Sequence, residues 1–341
     1  MDRTRLPAEW EPHRATWLAW PHNEETWPGV FDRIPDVYAR IVRTLRRFEE
    51  VRVLVREASD VARLSVDLGE GCPVTFVEVP TNDAWVRDYG PIFTRRGDGS
   101  LGSTVWRFNS WGGKYPPWDL DAAAGRKIAA WTGSDLEDVD VVLEGGSIDV
   151  NGRGALLTTS CPLDPRRNPT LDPDGLEAMF GRHFGVTRVI WLHGGIEGDD
   201  TDGHVDNLAR FVDERTVVAT VDDDPRSEHY GALRDNVERL RKTRDQDGRP
   251  LRVVELPTPE PVVIGSARMP ASYANFYIAN RVVVAPTYGC SRDDAALDTL
   301  QELFRGREVV GIDCRDLVRG LGAIHCITQQ EPISTGPARV R

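Results

Sequence analysis

The 341-residue sequence has no surplus of basic residues: 42 Lys and Arg face 54 Asp and Glu, a formal net charge of −12. Nucleic-acid binders normally carry a basic stripe, so the balance argues against that class. The sequence also has no Cys-x-x-Cys pair. Its five cysteines, Cys72, Cys161, Cys290, Cys314 and Cys326, are separated by 89, 129, 24 and 12 residues, and an odd count at such spacing suits neither a disulfide framework nor a zinc knuckle. The first ten residues hold no apolar signal core, and no run approaches the roughly 20 apolar residues of a membrane helix. The expectation is a cytoplasmic protein with no membrane or nucleic-acid partner. No segment is of low complexity and no strict repeat is visible. What is present is ordinary globular material, 40% hydrophobic and 28% charged, enough for a core of one or two domains.

Hydrophobic spacing divides the chain into alternating elements. Ile34, Val37, Tyr38, Ile41, Val42 and Leu45 recur at three and four residues and predict an amphipathic helix over 34–50. Further helices are expected over 60–68, 121–132, 175–184, 227–244 and 293–305. Short apolar, β-branched runs between them read as strands, giving an α/β chain. Turn residues at Gly97-Asp98-Gly99, Asn151-Gly152, Asp213-Glu214 and Asn280-Arg281 predict hairpins, so antiparallel pairing is expected to dominate and a doubly wound parallel sheet loses ground. Residues 97–102 formally match the Gly-x-Gly-x-x-Gly nucleotide fingerprint, but a β-rich run follows where a helix is needed, and a hairpin tip is the better reading. Polar, Gly-marked clusters recur near Trp20, Asp88, Gly145, Asp206 and Ile278. Gaps of 57 to 72 residues suggest equivalent units, each bringing a polar strand end to one centre.

Four clusters can carry chemistry. In Asp199–Asn207, strand alternation would put His204 and Asp206 on one face, an imidazole beside a carboxylate that favours its protonated form; a metal site and a solvated loop remain alternatives, although no matching further ligand set is evident. In Asn82–Pro91, charges beside Trp85 and Tyr89 suggest a recognition surface, with an Arg87–Asp88 ion pair as the plain alternative. In Leu321–Gln330, alternation puts Cys326 and Ile324 on one face and His325 on the other. Cys326 is then a buried small hydrophobe or a nucleophile whose base comes from elsewhere, His204 being the candidate. In Leu143–Val150, Gly145-Gly146 permits close backbone approach beside Glu144, or simply makes a tight turn.

Taken together, these clusters resemble the agmatine deiminases, which are related to bacterial peptidyl-arginine deiminases within the guanidino-modifying superfamily. The resemblance runs from Pro7-Ala8-Glu9-Trp10-Glu11-Pro12-His13 and Trp17–Pro21 through Trp85–Pro91, Phe108–Gly113, Glu144–Gly146, Arg167–Pro169, Asp200–Arg210 and Tyr273–Asn280 to Ile324-His325-Cys326. It implies a five-fold pseudosymmetric α/β propeller of ββαβ units (the pentein fold), a single domain over 1–341, with the site in a central channel. It also implies Cys326 as nucleophile, His204 as general acid/base, Asp88 and Asp206 as the carboxylates that grip a guanidinium, and Glu144 as a further acidic position; Trp85, Trp111 and Gly145 are taken with Glu144 as substrate-binding. No metal or cofactor is expected, and a homodimer is carried as the assembly.

A planar cation explains the residue types, because two carboxylates can pair with its N–H edges while a thiolate adds to its central carbon. Free or peptidyl arginine would want a dedicated Arg for its carboxylate, whereas agmatine wants acids and aromatic faces such as Trp85, Trp111, Tyr115 and Trp118. Arg87 is the one cation near the clusters, so agmatine leads, peptidyl-arginine or another guanidino compound follows, and a non-catalytic polyamine or guanidinium binder is the alternative of another class. Arg292, beside Cys290, would favour an acidic guanidino compound if its loop reached the pocket.

Overall fold

The structure, a computed structural model, describes residues 4–63 and 67–336. Five sheets follow one plan. In four of them a hairpin pairs two strands antiparallel, a helix crosses over, and a third strand joins the second in parallel. These are Ile92–Arg95, Leu101–Arg107 and Asp135–Val142; Ile148–Val150, Ala155–Thr158 and Arg188–Trp191; Ala209–Phe211, Thr216–Val221 and Arg252–Pro257; and Tyr277–Ile278, Val282–Thr287 and Glu308–Asp313. The remaining sheet is completed by the end of the chain: Gln329–Pro332 pairs antiparallel with His13–Ala19, which lies parallel to Glu50–Val55, followed by Val74–Glu78. A separate two-stranded hairpin joins Val263–Ile264 to Ala267–Arg268.

The four predicted hairpins are present, including the one whose tip carries the Gly-x-Gly sequence. Antiparallel pairing does not dominate, however, because each hairpin is matched by a parallel pairing. A hairpin announces itself through its turn residues, whereas a parallel neighbour arrives through a helical crossover and leaves no local mark. The crossover helices are Ile34–Leu45, Asp119–Thr132, Pro173–Phe184, Tyr230–Lys242 and Asp293–Leu303. Helix Pro173–Phe184 starts where Asp172 accepts the Gly175 N–H and stops at Gly185, whose φ of 69° suits glycine. The helix expected over 60–68 is observed as Ala58–Arg63, and positions 64–66 lie outside the described residues.

Helix Ile34–Leu45 buries the six residues that its spacing singled out. They pack in a core that includes Trp17, Leu18, Val283 and Val284, so the first unit leans on the last. Strand Gln329–Pro332 likewise touches Ile92–Arg95, and Ile148–Val150 touches Ala209–Phe211.

What positions the site is the way each sheet's first strand is entered. Short turns at Val86–Tyr89, Gly145–Ser147, Val205–Asn207, 273–274 and 324–327 lead directly into the five first strands. The expected recurrence therefore holds at four of its five places. Trp20 instead follows a strand, and the equivalent turn for that sheet is 324–327, because the C-terminus supplies its first strand.

Ile41 is fully buried. Ile41→Ala should lower unfolding stability by about 2–5 kcal/mol, and Arg40→Ala, on the exposed face of the same helix, by no more than about 0.5 kcal/mol. Chemical denaturation midpoints check both.

Candidate active site

The five entry turns bring Asp88, Glu144, His204, Asp206, Asn275 and Cys326 together. Neither the His204–Asp206 segment nor Ile324–Cys326 is a strand. His204 caps a 3-10 turn and Cys326 lies in a turn, so period-two alternation misjudges both. His204 and Asp206 still point to one place, but His325 does not face away from Cys326. Its Nδ1 is 2.8 Å from Asp206 Oδ2, and Cys326 Sγ is 3.8 Å from the same oxygen.

Asp88 is fixed on both oxygens. Oδ1 accepts the Gly146 N–H at 2.9 Å and Oδ2 accepts the Trp111 indole N–H at 3.0 Å. Trp111 reaches it from a turn in which Ser110 and Trp111 both have positive φ, 55° and 54°, a backbone cost that non-glycine residues bear mainly at functional sites. Of the glycine pair, Gly145 packs against Arg87, where a methyl would meet the carbonyl at 2.2 Å. Gly146 is the one that faces the site. A methyl there would lie 2.6 Å from His204 Nδ1, 2.9 Å from Asp88 Oδ1 and 3.0 Å from Asp206 Oδ2.

Asp206 Oδ1 and His204 Nε2 are buried without hydrogen-bond partners. His204 Nδ1 is 3.8 Å from Asp88 Oδ1, and Nε2 is 3.8 Å from Glu144 Oε2. Glu144 stands behind His204 with both oxygens on Arg167 Nε at 2.8 and 3.1 Å. Asn275 orders the thiol: its Oδ1 accepts the His325 and Cys326 N–H groups at 3.0 and 3.4 Å, and its Nδ2 donates to Cys326 Sγ at 3.2 Å and to Asn207 Oδ1 at 3.0 Å. Asn275 lies inside the Tyr273–Asn280 segment but carries no charge that would single it out. Arg167 lies likewise within Arg167–Pro169.

The electrostatics follow from this packing. Burial would push the His204 imidazole down, but the Asp88, Glu144 and Asp206 charges outweigh it and hold it up at about 9. Burial raises Asp88, with the Asp206 and Glu144 charges adding to it. Against its own burial, Asp206 is held below the usual carboxylate range by His325, His204 and Arg210. Burial, then the Asp206 and Asp88 charges, push the Cys326 thiol well above its ordinary value. Among the described residues, no group of three or more His, Cys, Asp and Glu side chains has an arrangement that could hold a metal ion, and no helix is long and apolar enough to cross a membrane.

Cys326 and Asp88 open onto a cleft of about 710 Å³ walled by Trp85, Trp111, Tyr115, Glu25, Asp83, Asp121 and Asp200. Trp118 is not in its wall. Arg87 makes no pair with Asp88; it bonds Glu9 at 3.3 Å and Gln330 at 2.8 Å. Nor is it the only cation nearby, since Arg56, Lys114 and Arg319 line the cleft. Lys114 is engaged by Asp200 and Asp202 at 3.3 and 3.1 Å. Arg292 lies outside this wall, bonded to the Thr258 carbonyl at 2.9 Å, and Cys290 lines a separate cavity.

Comparison with known proteins agrees over nearly the whole chain. The agmatine deiminase of Pseudomonas syringae pv. tomato is 36% identical over 356 residues, spanning 97% of this chain and 96% of the relative. The structure of agmatine deiminase from Enterococcus faecalis superposes with a TM-score of 0.89 at 34% identity, covering 96% of each chain. That of Campylobacter jejuni agmatine deiminase gives 0.87 at 32%, covering 98% and 97%. The family model of the Porphyromonas-type peptidyl-arginine deiminases matches residues 5–332, and the chain belongs to that family.

Proposed function

We propose that this protein hydrolyses agmatine to N-carbamoylputrescine and ammonia, and that it does so as one catalytic domain, a five-fold pseudosymmetric propeller of ββαβ units. The repeated hairpin, helix and parallel strand support that architecture, as do the five entry turns and the C-terminal strand that completes the first sheet. A cytoplasmic location fits five free cysteines. The observation that carries the activity is the Asp206 carboxylate: Oδ2 lies 3.8 Å from Cys326 Sγ and faces Gly146 together with Asp88 Oδ1, while Oδ1 is buried with no hydrogen-bond partner. A buried carboxylate oxygen without a donor suits a cationic N–H.

In this reading Asp88 and Asp206 fix the plane of the guanidinium. The arriving positive charge offsets the two carboxylates that hold the thiol protonated, so Cys326 loses its proton in the complex. The thiolate adds to the central carbon, and the His204 imidazolium gives its proton to the departing nitrogen as the C–N bond breaks. Ammonia leaves, and an S-linked thiouronium remains. The neutral imidazole then takes a proton from water, whose oxygen adds to the same carbon; as the C–S bond breaks, the remaining hydroxyl proton passes to the departing sulfur, which restores the thiol and frees the neutral urea. Agmatine is favoured by the names of the relatives and by the engagement of Arg87 and Lys114 elsewhere. Arg56 and Arg319 in the cleft wall favour a second reading, a substrate ending in an arginine carboxylate.

Michaelis constants for agmatine, arginine and a peptide ending in arginine should place agmatine lowest; a lower constant for either carboxylate-bearing compound would replace the reading with the second one. Cys326→Ser should reduce ammonia release by at least about 10³-fold, and mass spectrometry of the quenched native enzyme should find the thiouronium on Cys326.

The raised thiol also has a sign that can be checked. With the free thiol well above 9, its thiolate fraction grows about tenfold per pH unit below that value. Alkylation of Cys326 by iodoacetamide in the substrate-free enzyme should therefore rise log-linearly from pH 6 to 9, and a plateau below pH 8 would contradict it. Asp206→Asn removes one of the charges that raise the thiol, so alkylation at fixed pH should quicken while deimination falls.

A further inference from the structure

His325 adjoins the nucleophile in sequence but is not in the cleft wall. It is buried between two carboxylates, with Nδ1 2.8 Å from Asp206 Oδ2 and Nε2 2.9 Å from Glu9 Oε2. An ionised carboxylate only accepts hydrogen bonds. Cations other than the ring act on both carboxyls to favour the ionised form against burial, Arg210 and Arg87 on Glu9 and His204 and Arg210 on Asp206. A neutral imidazole has one N–H, so one of its two contacts would set a bare lone pair against a carboxylate oxygen. Both contacts are hydrogen bonds only when both nitrogens carry hydrogen.

The surroundings support a charged ring. Arg87 from Val86–Tyr89 donates to the His325 carbonyl at 3.3 Å and to Glu9, and Arg210 from Ala209–Phe211 bridges Glu9 at 2.9 Å and Asp149 at 2.8 Å. From the turn before Val205–Asn207, His204 adds its own charge to Asp206. The acids Glu9, Asp149 and Asp206 are thus interleaved with the cations Arg87, Arg210 and His204, and His325 stands where Glu9 and Asp206 meet one ring at hydrogen-bond distance.

We infer that His325 is a positioning residue: seated on Glu9 as an imidazolium, it holds Asp206 by Oδ2 and keeps that carboxylate ionised beside Cys326, with Oδ1 left free to accept from the guanidinium. The inference rests on the reading that Asp206 grips the substrate. It gives the N-terminal Pro7–His13 segment a part in the reaction, since Glu9 is what anchors the ring. Without the imidazolium, Asp206 would take a proton at higher pH, and a protonated carboxyl does not hold a cation.

The test uses the full-length enzyme with agmatine between pH 5 and 9. His325→Gln keeps a hydrogen-bond donor but removes the charge. It should raise KM at least about tenfold, with a smaller loss in kcat, and should move the acid limb of kcat/KM upward by about one pH unit. Glu9→Gln, which lets the ring become neutral by donating an amide N–H to Nε2, should move the limb in the same direction by less. An acid limb that stays in place in His325→Gln, with KM within threefold of the native value, would overturn the inference even if the melting temperature fell. Should the variants not fold, ¹⁵N-histidine spectra of the native enzyme at pH 7 decide it: two protonated ring nitrogens on His325 uphold it and one bare nitrogen refutes it. Absence of ammonia release by the native enzyme would sink the functional reading instead, and the spectra would still report the state of the ring.

Discussion

The carboxylate of Glu9 is the point on which the rest of this structure depends. An ionised carboxylate taken out of water loses several kcal/mol unless donors replace the hydration. Glu9 recovers it from Arg210 at 2.9 Å, Arg87 at 3.3 Å, His325 at 2.9 Å and the Ile278 N–H at 2.8 Å. These donors come from four different sheet-entry regions, one of them 316 residues away in sequence. The seat therefore exists only once these regions have gathered around it, so the same bonds that hold the units together also align the turns that bear the site. Arg210 extends the arrangement to Asp149 and to the Phe276 carbonyl, and His325 extends it to Asp206. The structural charges and those of the candidate site are one network, in which the Asp206 Oδ1 oxygen is left without a partner.

That shortfall explains where the acid surplus of the sequence is put to use. Most of the 54 acidic residues need no explanation beyond solubility. Asp88, Glu144 and Asp206 differ, because burial makes each charge felt by its neighbours. Together they hold His204 protonated, and Asp206 and Asp88 add to burial in keeping the Cys326 thiol raised. The two effects oppose each other for catalysis until a cation arrives, and the cation that resolves the conflict is the one to be attacked. A thiol kept quiet in the empty site is also spared the alkylation and oxidation that exposed thiolates suffer.

How much of this could be read beforehand depended on whether a feature is local. The helix over Ile34–Leu45 and the four hairpins are written in spacing and in turn residues, and they lie where expected. Asp88, His204, Asp206 and Cys326 stand out because charged or nucleophilic residues sit in dense clusters beside glycine, and they do meet in space. Period-two alternation holds only for strands, and it misplaces His325 because residues 324–327 form a turn. The Trp20 recurrence misled because linear order hides the completion of the first sheet by the last strand. Asn275 and Glu9 act through partners dozens to hundreds of residues away, and nothing in their own neighbourhoods announces it.

A final consequence concerns product release. In the proposed reading the substrate is recognised by charge: a delocalised cation is held by two carboxylates, one of them with an oxygen otherwise unpaired. Deimination turns that cation into a neutral urea, which offers hydrogen bonds but no charge, and charge-assisted bonds are roughly twice as strong as neutral ones. The product therefore leaves behind carboxylates that again favour a protonated thiol and a new cation. Such a site needs no moving part to reject its product, since the chemistry removes the feature by which the molecule was held.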